Sequence, residues 1–255
     1  MRLITWNVAS LKARIARTQA VLARHDPDVL CLQETKLPNA QFPQFAFPDH
    51  HFAAHGQATY NGVAILSKQP ADEVRKGFAG DPCPEASRAI AARFGALWVY
   101  DLYVVNGKSP DDPAFDVKRR WLAALRDHVA AQHDPGEEVL LLGDFNITPS
   151  DADSWDPALL RSHIHHTDEE RAWLAALRAW GLTDLHEAAG ETAFTWWDYR
   201  DLAFPKGHGL RIDLALGTAP VASRLERVWV DRDERKQGTH VEKPSDHAPL
   251  VVDLR

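Results

Sequence analysis

Carboxylate and carboxamide side chains recur in this 255-residue sequence where apolar segments begin or end. Together with one histidine, the set comprises Asn7, Glu34, Asp144, Asn146, Asp213, Asp246 and His247. Oxygen donors with few nitrogens and no thiolate suit Mg²⁺ or Mn²⁺ better than structural zinc. An ion held by one or two carboxylates, and otherwise open to water and phosphate, is typical of phosphoryl-transfer sites. An aspartate after a strand is more often a turn former or helix cap, so the argument for a shared site depends on the number of such positions.

Asp246 and His247 are adjacent in the sequence and precede the last apolar segment. A second carboxylate in contact with the imidazole, such as that of Asp213, would fix its tautomer and favour its charged form. Without such a partner, the pair is interpreted as a polar turn before a strand.

Two other groups of histidines match neither a zinc spacing nor a His-Glu-x-x-His helix, so we expect them to be solvated. They are His50, His51 and His55, and His163, His165 and His166. The sequence also has no Gly-rich phosphate loop and no Gly-x-Ser-x-Gly elbow, which disfavours nucleotide-cofactor enzymes and serine hydrolases.

The segment from Phe194 to Arg200 is rich in aromatic residues. Alternation along a strand would place Trp196 on one face and Trp197 on the other. Two interpretations stay open. One is core packing with partial exposure, and the other is a platform that stacks on a sugar or base, with Arg200 nearby for phosphate.

The hydrophobic pattern predicts strands and helices in an irregular order. Strands are expected at residues 2–7, 29–33, 62–67, 88–94, 97–105, 139–142, 194–199, 211–216, 227–230 and 248–254. Helices are expected at residues 11–22, 117–129 and 167–180, the last opened by a capping box of Thr167 and Glu170. Two packed sheets flanked by helices fit this order better than a regular βαβ alternation. No repeat or low-complexity linker divides the chain, and we expect one catalytic domain over residues 1–255.

Composition excludes several classes of protein. Hydrophobic residues make up 45% of the chain, and nine Trp with ten Phe argue against disorder. No segment approaches the roughly 18 apolar residues of a membrane-spanning helix, and the first residues do not resemble a secretory signal. The only cysteines, Cys31 and Cys83, suit a reducing cytosol, so we expect a cytoplasmic protein. A net charge of −7 argues against coating nucleic acid by bulk charge, though not against local binding.

The order of short motifs resembles the exonuclease III branch of the abasic-site (AP) endonucleases, within the endonuclease/exonuclease/phosphatase superfamily. The resemblance covers essentially the whole chain. Its elements are Trp6-Asn7-Val8, Leu32-Gln33-Glu34-Thr35-Lys36, Tyr60-Asn61-Gly62-Val63-Ala64, Gly143-Asp144-Phe145-Asn146-Ile147, Thr195-Trp196-Trp197-Asp198-Tyr199-Arg200, Gly209-Leu210-Arg211-Ile212-Asp213 and Lys243-Pro244-Ser245-Asp246-His247-Ala248-Pro249.

This resemblance implies an α/β fold, a four-layer αββα sandwich of two packed mixed sheets flanked by helices, with the site at one edge of the sheets. It implies a DNA repair nuclease that depends on Mg²⁺ or Mn²⁺ and cuts on the 5′ side of abasic sites. It also implies 3′→5′ exonuclease activity and trimming of blocked 3′ ends on double-stranded DNA. We expect a monomer with no membrane association.

The resemblance assigns metal and substrate contacts to particular positions. Glu34 matches the principal metal ligand, with Asn7 and Asp246 nearby. Trp196 and Leu210 fall where the family builds its pocket for the flipped-out, base-less sugar.

The same comparison of positions assigns catalytic roles. Asp144 matches the residue that orients or deprotonates the attacking water, and Asn146 matches one that helps to hold the phosphate. Asp213 and His247 match a carboxylate–imidazole pair that faces the scissile phosphate, and Tyr103 matches a tyrosine that contacts it.

Three positions depart from the family pattern. Ala9 stands where Asn or Asp is common, Val105 replaces a proline, and Gly207 replaces an asparagine. The alternatives are a superfamily member acting on another phosphodiester or phosphomonoester, a DNA-binding module with a degenerate site, and a weak nuclease with altered substrate preference.

We further predict that basic residues are unevenly placed and that several line a DNA groove around the site. The residues in question are Lys36, Lys108, Lys118, Arg200 and Arg211.

Overall fold

A computed structural model describes residues 1–238 and 241–255, and within these ranges the chain has twelve strands and seven α-helices. The strands are β1 (Arg2–Asn7), β2 (Val29–Gln33), β3 (His51–His55), β4 (Val63–Ser67), β5 (Glu73–Lys76), β6 (Ala89–Phe94), β7 (Leu97–Tyr103), β8 (Val139–Asp144), β9 (Leu182–Asp184), β10 (Asp213–Thr218), β11 (Leu225–Val230) and β12 (Leu250–Leu254). The helices are α1 (Ile15–His25), α2 (Pro113–Gln132), α3 (Pro157–Leu160), α4 (Asp168–Ala179), α5 (Leu185–Ala188), α6 (Ala203–Lys206) and α7 (Ala219–Ala222).

The strands form two mixed sheets of six. The first sheet has the order β11-β12-β1-β2-β4-β3, and the second has the order β5-β6-β7-β8-β10-β9. Each sheet contains one parallel pair at its centre, β1 with β2 and β7 with β8. The remaining pairings are antiparallel.

The two sheets pack face to face because alternate residues of their central strands are apolar and buried. Leu3 and Val29 of the first sheet meet Val99 and Leu140 of the second in one buried cluster. The residues between them point outward, where Ile4 packs with α1. This alternation gives each central strand two apolar faces, as a sheet covered on both sides requires.

Helices cover the outer faces. Helix α1 places Val21 and Leu22 on the first sheet, and α2 places Trp121 and Leu125 on the second. Helix α2 begins after the Asp112 side chain, which accepts a hydrogen bond from the Ala114 amide, with Pro113 at its first position. The resulting order of layers is helix, sheet, sheet, helix, so the four-layer sandwich predicted from the sequence is confirmed.

Most element predictions are confirmed to within a few residues, and one strand is wrong. The capping box of Thr167 and Glu170 opens α4 as predicted. Residues 194–199 do not form a strand, because only Trp196 makes isolated bridges, to Leu210 and His247. No helix of the described residues is long and apolar enough to cross a membrane.

Candidate active site

The predicted site residues converge because of the strand directions. Asn7 ends β1 and Glu34 directly follows β2, and these neighbouring strands are parallel. Tyr103 and Asp144 likewise end the parallel strands β7 and β8. The carboxyl ends of parallel neighbours lie at the same edge of a sheet, and the two edges face each other across the sandwich.

Antiparallel strands bring the remaining groups to this edge. Asp213 begins β10 and lies opposite Asp144 in the register of the second sheet. His247 precedes β12, which runs antiparallel to β1 in the first sheet. The edge therefore collects residues that are separated by more than 200 positions in the sequence.

Backbone geometry at this edge requires particular residues. Gly143 has a φ of +144°, and a Cβ atom there would lie 1.9 Å from the carbonyl oxygen of Leu102. Only glycine permits this close approach of β7 and β8 directly before Asp144. Glu34 and Asn146 adopt φ values of 52° and 53°, in the left-handed region that non-glycine residues rarely occupy. Such conformations concentrate at functional sites.

An imidazole flanked by two carboxylates forms the centre of the site. His247 Nδ1 lies 2.8 Å from Asp213 Oδ2, and His247 Nε2 lies 3.7 Å from Asp144 Oδ2. All three side chains are buried. The hydroxyl of Thr195 accepts hydrogen bonds from the backbone amides of Ile212 and Asp213, which fixes the start of β10.

Mutual electrostatics shift the pKa values of this group. Burial disfavours the imidazolium, but the charges of Asp213 and Asp144 outweigh it and raise the pKa of His247 to about 10. Burial also raises the pKa of Asp144 to about 7, with Asp213 acting in the same direction and His247 opposing it. A carboxylate that titrates near neutral pH beside a cationic imidazole is suited to exchange a proton with water.

Glu34 and Asn7 extend the polar centre. The Asn7 amide donates to Glu34 Oε1 at 2.9 Å and to Asp144 Oδ2 at 3.0 Å, while its oxygen accepts from the Ala9 amide at 2.9 Å. Lys36 Nζ lies 2.8 Å from Glu34 Oε2. Burial opposes ionisation of Glu34, yet the hydrogen bonds from Lys36 and Asn7 lower the pKa of this carboxyl. Glu34 is therefore ionised at neutral pH.

Tyr103 and Asn146 border these carboxylates. Burial, with the negative charges of Glu34 and Asp144, raises the pKa of the Tyr103 hydroxyl, which remains protonated. The Arg88 guanidinium lies 4.6 Å from the centre of the Tyr103 ring. The backbone amide of Asn146 donates to Asp144 Oδ1 at 2.9 Å, so the two residues are held together directly.

The aromatic segment lies beside the site in a row of backbone bridges. Leu210 pairs with Trp196 and Trp196 pairs with His247, all in antiparallel geometry. The Trp196 indole donates to Asp246 Oδ2 at 3.1 Å. Leu210 is buried and Trp196 is half-buried, while Trp197 is in the core. The structure thus brings Trp196, Leu210 and Asp246 together next to His247.

Arg200 is the predicted site residue that the described contacts do not connect to the others. Its side chain is 83% exposed and pairs with Asp198 at 2.7 Å.

The prediction that Lys118 and Arg211 line a DNA groove is wrong. Lys118 is fully buried and paired with Glu170. Arg211 is buried between Asp153 and Asp184, at 2.6 Å and 2.8 Å. Both side chains form ion pairs inside the protein and are not available to bind DNA. The side chain of Lys108, in contrast, is 72% exposed.

A buried network behind Asn146 could not be identified from the sequence. Lys118 Nζ donates to the Asn146 carbonyl at 2.7 Å, and His165 Nδ1 contacts the same carbonyl at 2.6 Å. The expectation that His165 and His166 are solvated is wrong, because both are buried. Burial and the charge of Lys118 lower the pKa of His165 to about 3, which makes this imidazole neutral. The signals for this network in the sequence are the capping box that contains Glu170 and the position of Lys118 on the same helical face as Trp121 and Leu122.

The donor set fits a hard divalent cation. Asp144 and Asp213 place carboxylate oxygens within 4.8 Å of each other and of a ring nitrogen of His247, although the protonated imidazole is not itself a ligand. Asp213 Oδ1 is buried and has no hydrogen-bond partner among the described residues. Glu34 adds an ionised carboxylate at the same edge. Oxygen donors of this kind are the ligands that Mg²⁺ and Mn²⁺ prefer.

Comparisons with known proteins agree with this geometry. The model of the endonuclease/exonuclease/phosphatase family matches residues 4–247. Exodeoxyribonuclease III of Haemophilus influenzae is 34% identical, with 100% of both chains covered. The 3′ phosphatase NExo from Neisseria, solved with a product DNA hairpin, is 40% identical with a TM-score of 0.93, covering 100% of this chain and 99% of the other. An AP endonuclease from Archaeoglobus fulgidus is 30% identical with a TM-score of 0.92 and the same coverage. The resemblance seen in the motifs is confirmed, and the chain belongs to the endonuclease/exonuclease/phosphatase family, among its exodeoxyribonuclease III and AP endonuclease members.

Proposed function

We propose that this DNA repair nuclease hydrolyses the phosphodiester on the 5′ side of abasic sites and also removes nucleotides and blocking groups from the 3′ ends of double-stranded DNA. The observation that carries the proposal is the buried Asp144–His247–Asp213 array beside Glu34. A phosphodiester repels nucleophiles by its negative charge, so its hydrolysis needs a base, positive charge and hydrogen-bond donors. Each of these is present in the array.

Asp144 is the proposed base. Its pKa of about 7 allows it to accept a proton from the attacking water at neutral pH. Asn146 and Asn7 both donate to this carboxylate, at 2.9 Å and 3.0 Å, and hold it in one orientation. Asp144 therefore orients the water as well as accepting its proton.

His247 and Tyr103 are proposed to face the phosphate. With a pKa of about 10, His247 is an imidazolium that offers positive charge to the phosphate oxygens. Asp213 accepts a hydrogen bond from Nδ1 and fixes the ring orientation from the opposite side. The protonated Tyr103 hydroxyl provides a further donor, and Asn146 completes the phosphate site.

We propose that Mg²⁺ or Mn²⁺ binds at Glu34, with Asp246 and Asn7 nearby. A bound divalent ion neutralises phosphate charge and stabilises the leaving alkoxide. The amide of Asn7 already orients Glu34 and Asp144 through its nitrogen, so its contribution includes positioning these carboxylates.

Trp196 and Leu210 are proposed to bound the pocket for the base-less sugar, with Arg200 contributing to phosphate binding at the exposed edge. An abasic nucleotide has no base to unstack, so it is displaced from the helix at lower cost than an intact one. A small apolar pocket excludes normal nucleotides by size.

We propose that the enzyme acts as a monomer, because one chain carries the whole proposed array. Both cysteines are free thiols, Cys31 buried and Cys83 partly buried. Free thiols suit a reducing compartment, and we propose a cytoplasmic location.

A second candidate is an enzyme that acts mainly on 3′ ends. The 40% identity to the Neisseria 3′ phosphatase over the full chain favours this candidate. The two candidates share the same proposed chemistry at Asp144. They differ in the main DNA substrate, which is an abasic site in one and a 3′ end in the other.

Three labelled duplexes distinguish the candidates: one with a single abasic analogue, one with a 3′ phosphate at a nick, and one with blunt ends. Each is tested with Mg²⁺, with Mn²⁺ and with chelator. We expect Asp144→Asn to lower the rate by roughly 10²- to 10⁴-fold on every substrate that the native protein cleaves. Asp127→Asn, at an exposed carboxylate paired with Arg126, is the matched control. Cleavage by Asp144→Asn at the native rate, or no cleavage of any duplex by the native protein, contradicts the proposal.

A further inference from the structure

A polar cluster lies fully buried between the two sheets and outside the site described above. It consists of Thr5 on β1, Gln33 on β2 and Asp101 on β7, each 0% exposed. Gln33 Nε2 donates to Thr5 Oγ1 at 2.8 Å and to Asp101 Oδ1 at 2.6 Å. Polar groups are costly at this depth, so each must be satisfied for the cluster to persist.

This cluster is the layer directly beneath the active site. Alternate residues of a strand share a face, so Thr5 points to the same side as Asn7, and Asp101 to the same side as Tyr103. Two residues along a strand correspond to about 6.7 Å. Gln33 directly precedes Glu34 and lies opposite Asn7 in the β1–β2 register. The cluster therefore supports three of the strands that carry the site.

Two atoms of the cluster lack hydrogen-bond partners among the described residues. They are Gln33 Oε1 and Asp101 Oδ2, both buried. If Asp101 is ionised, both atoms are acceptors and neither can satisfy the other. If Asp101 Oδ2 carries a proton, this atom becomes a hydrogen-bond donor. Gln33 Oε1 is an acceptor without a donor, so it can receive this hydrogen bond. Since the bond from Gln33 Nε2 to Asp101 Oδ1 already holds the carboxamide against the carboxyl group, a single proton on Oδ2 can serve both atoms.

The surroundings of Asp101 favour this proton. Its neighbours in the second sheet, Ile90 and Leu142, are apolar. Burial raises the pKa of Asp101 well above its ordinary value, although the Gln33 amide and the backbone amides of Leu32 and Ala64 act in the opposite direction. From β2, the titratable neighbour is the buried thiol of Cys31, which interacts with Asp101 and is itself neutral because burial raises its pKa.

We propose that Asp101 is a neutral carboxylic acid at physiological pH, joined to the Gln33 carboxamide by hydrogen bonds in both directions, and that this acid–amide pair is a positioning element for Tyr103 and Glu34. The positioning role rests on the proposed nuclease function, whereas the protonation of Asp101 does not. The pair links the central strands of opposite sheets, so it fixes the spacing between Glu34 on one side and Tyr103 on the other.

Asp101→Asn tests the protonation state. The carboxamide of Asn can donate to Gln33 Oε1 and accept from Gln33 Nε2, so it preserves the pairing without a titratable proton. If the pKa of Asp101 is raised in the folded state, the folded protein keeps a proton that the unfolded chain releases above the ordinary aspartate range. The native protein then loses stability relative to Asp101→Asn as the pH rises. We therefore expect the difference in unfolding midpoint to shift in favour of Asp101→Asn between about pH 5 and about pH 8. We also expect a carboxylic-acid band in the infrared difference spectrum of native protein minus variant at neutral pH, in which the contribution of Asp144, present in both proteins, cancels. A constant difference in midpoint together with no such band overturns the protonation.

Asp101→Leu tests the positioning role. It removes both hydrogen bonds between residue 101 and Gln33 and fills the space of the carboxyl group with an apolar side chain. We expect kcat on the cleaved duplex to fall about tenfold for Asp101→Leu with little change in KM, and to stay within about twofold of native for Asp101→Asn. Ile90→Val, at the apolar neighbour in register, is the control for packing alone. Equal kcat losses in both Asp101 variants, or native kcat in Asp101→Leu, overturns the role. Absence of nuclease activity in the native protein contradicts the proposed function instead and leaves the stability and infrared results to be judged separately.

Discussion

The imidazole of His247 is held between Asp213, 2.8 Å from Nδ1, and Asp144, 3.7 Å from Nε2. The two carboxylates lie opposite each other on the antiparallel strands β10 and β8, so sheet register sets this spacing. Because the group is buried, the charges interact strongly and their protonation is coupled. The first predictions follow from this arrangement.

Asp213→Asn is expected to move the alkaline limit of activity to lower pH. Burial lowers the pKa of His247, and the Asp213 charge is the largest contribution that raises it to about 10. Without that charge, the imidazole loses its proton at lower pH and no longer offers positive charge to the phosphate. The measurement is kcat/KM against pH on whichever duplex the native protein cleaves. An unchanged alkaline limb would contradict the role of Asp213, and Asp127→Asn serves as the control.

His247 is also expected to make stability depend on pH. Its folded-state pKa of about 10 lies above its ordinary value of 6.5, so folding favours the bound proton. The stabilisation is fully present below about pH 6.5 and is lost as pH rises towards 10, with a slope of at most about 1.4 kcal/mol per pH unit. Denaturant unfolding across this range should show a steeper decline for the native protein than for His247→Gln. Parallel curves would show that folding does not raise the pKa of His247.

The apolar pattern predicts two packed sheets flanked by helices, and the family resemblance adds the four layers and the site at one edge of the sheets. Apolar segments that end in Asn7, Glu34 or Asp144 predict where strands end, whereas the parallel pairing that brings these ends together is seen only in the structure. The residues alone predict the pairing of Asp213 with His247 only as a condition, and the family resemblance predicts it outright. Contact between these residues, 34 positions apart, depends on how the two sheets pack. The strand expected at residues 194–199 failed for a related reason: its aromatic pattern suits a strand, but the segment bridges two loops instead.

Buried charges are what the sequence does not reveal. Basic residues such as Lys118 and Arg211 are typical of DNA-binding surfaces. Their acidic partners Glu170, Asp153 and Asp184 lie far away in the sequence, so the ion pairs cannot be predicted from it. Lys118 shares one helical face with Phe115, Trp121 and Leu122, so its spacing favours a buried position, but the sequence does not show that Glu170 is its partner. Only the packed structure shows which cations are already neutralised.

Gly143→Ala is expected to destabilise the protein severely. A Cβ atom at this position would lie 1.9 Å from the carbonyl oxygen of Leu102, a backbone atom that cannot move without separating β7 from β8. The positive φ adds strain. We expect a loss of roughly 3 kcal/mol or more in the free energy of unfolding, or failure to fold.

Gly95→Ala is the matched control. That glycine also has a positive φ, but no atom lies within 4 Å of the added Cβ, so the substitution should cost only about 1 kcal/mol in the free energy of unfolding. Similar midpoints in denaturant for the two variants would contradict the steric argument.

The Lys118–Glu170 pair allows the last prediction, which separates the value of an ion pair from the cost of breaking it. Both side chains are 0% exposed, and Lys118 also donates to the carbonyl of Asn146 behind the proposed phosphate site. Lys118→Met leaves the Glu170 carboxylate buried without its cation, which should cost about 3–5 kcal/mol of stability. Replacing both residues, as Lys118→Met with Glu170→Met, removes the unpaired charge and should recover most of that loss. The double variant should nevertheless remain less active than native, because the Asn146 carbonyl has lost its ammonium donor. Urea unfolding of the single and double variants, with nuclease assays on the same preparations, tests both parts. A double variant that is no more stable than Lys118→Met would contradict this prediction. It would show that the hydrogen bonds that the Glu170 carboxylate accepts from the backbone amides of His165 and Thr167 contribute more stability than the ion pair.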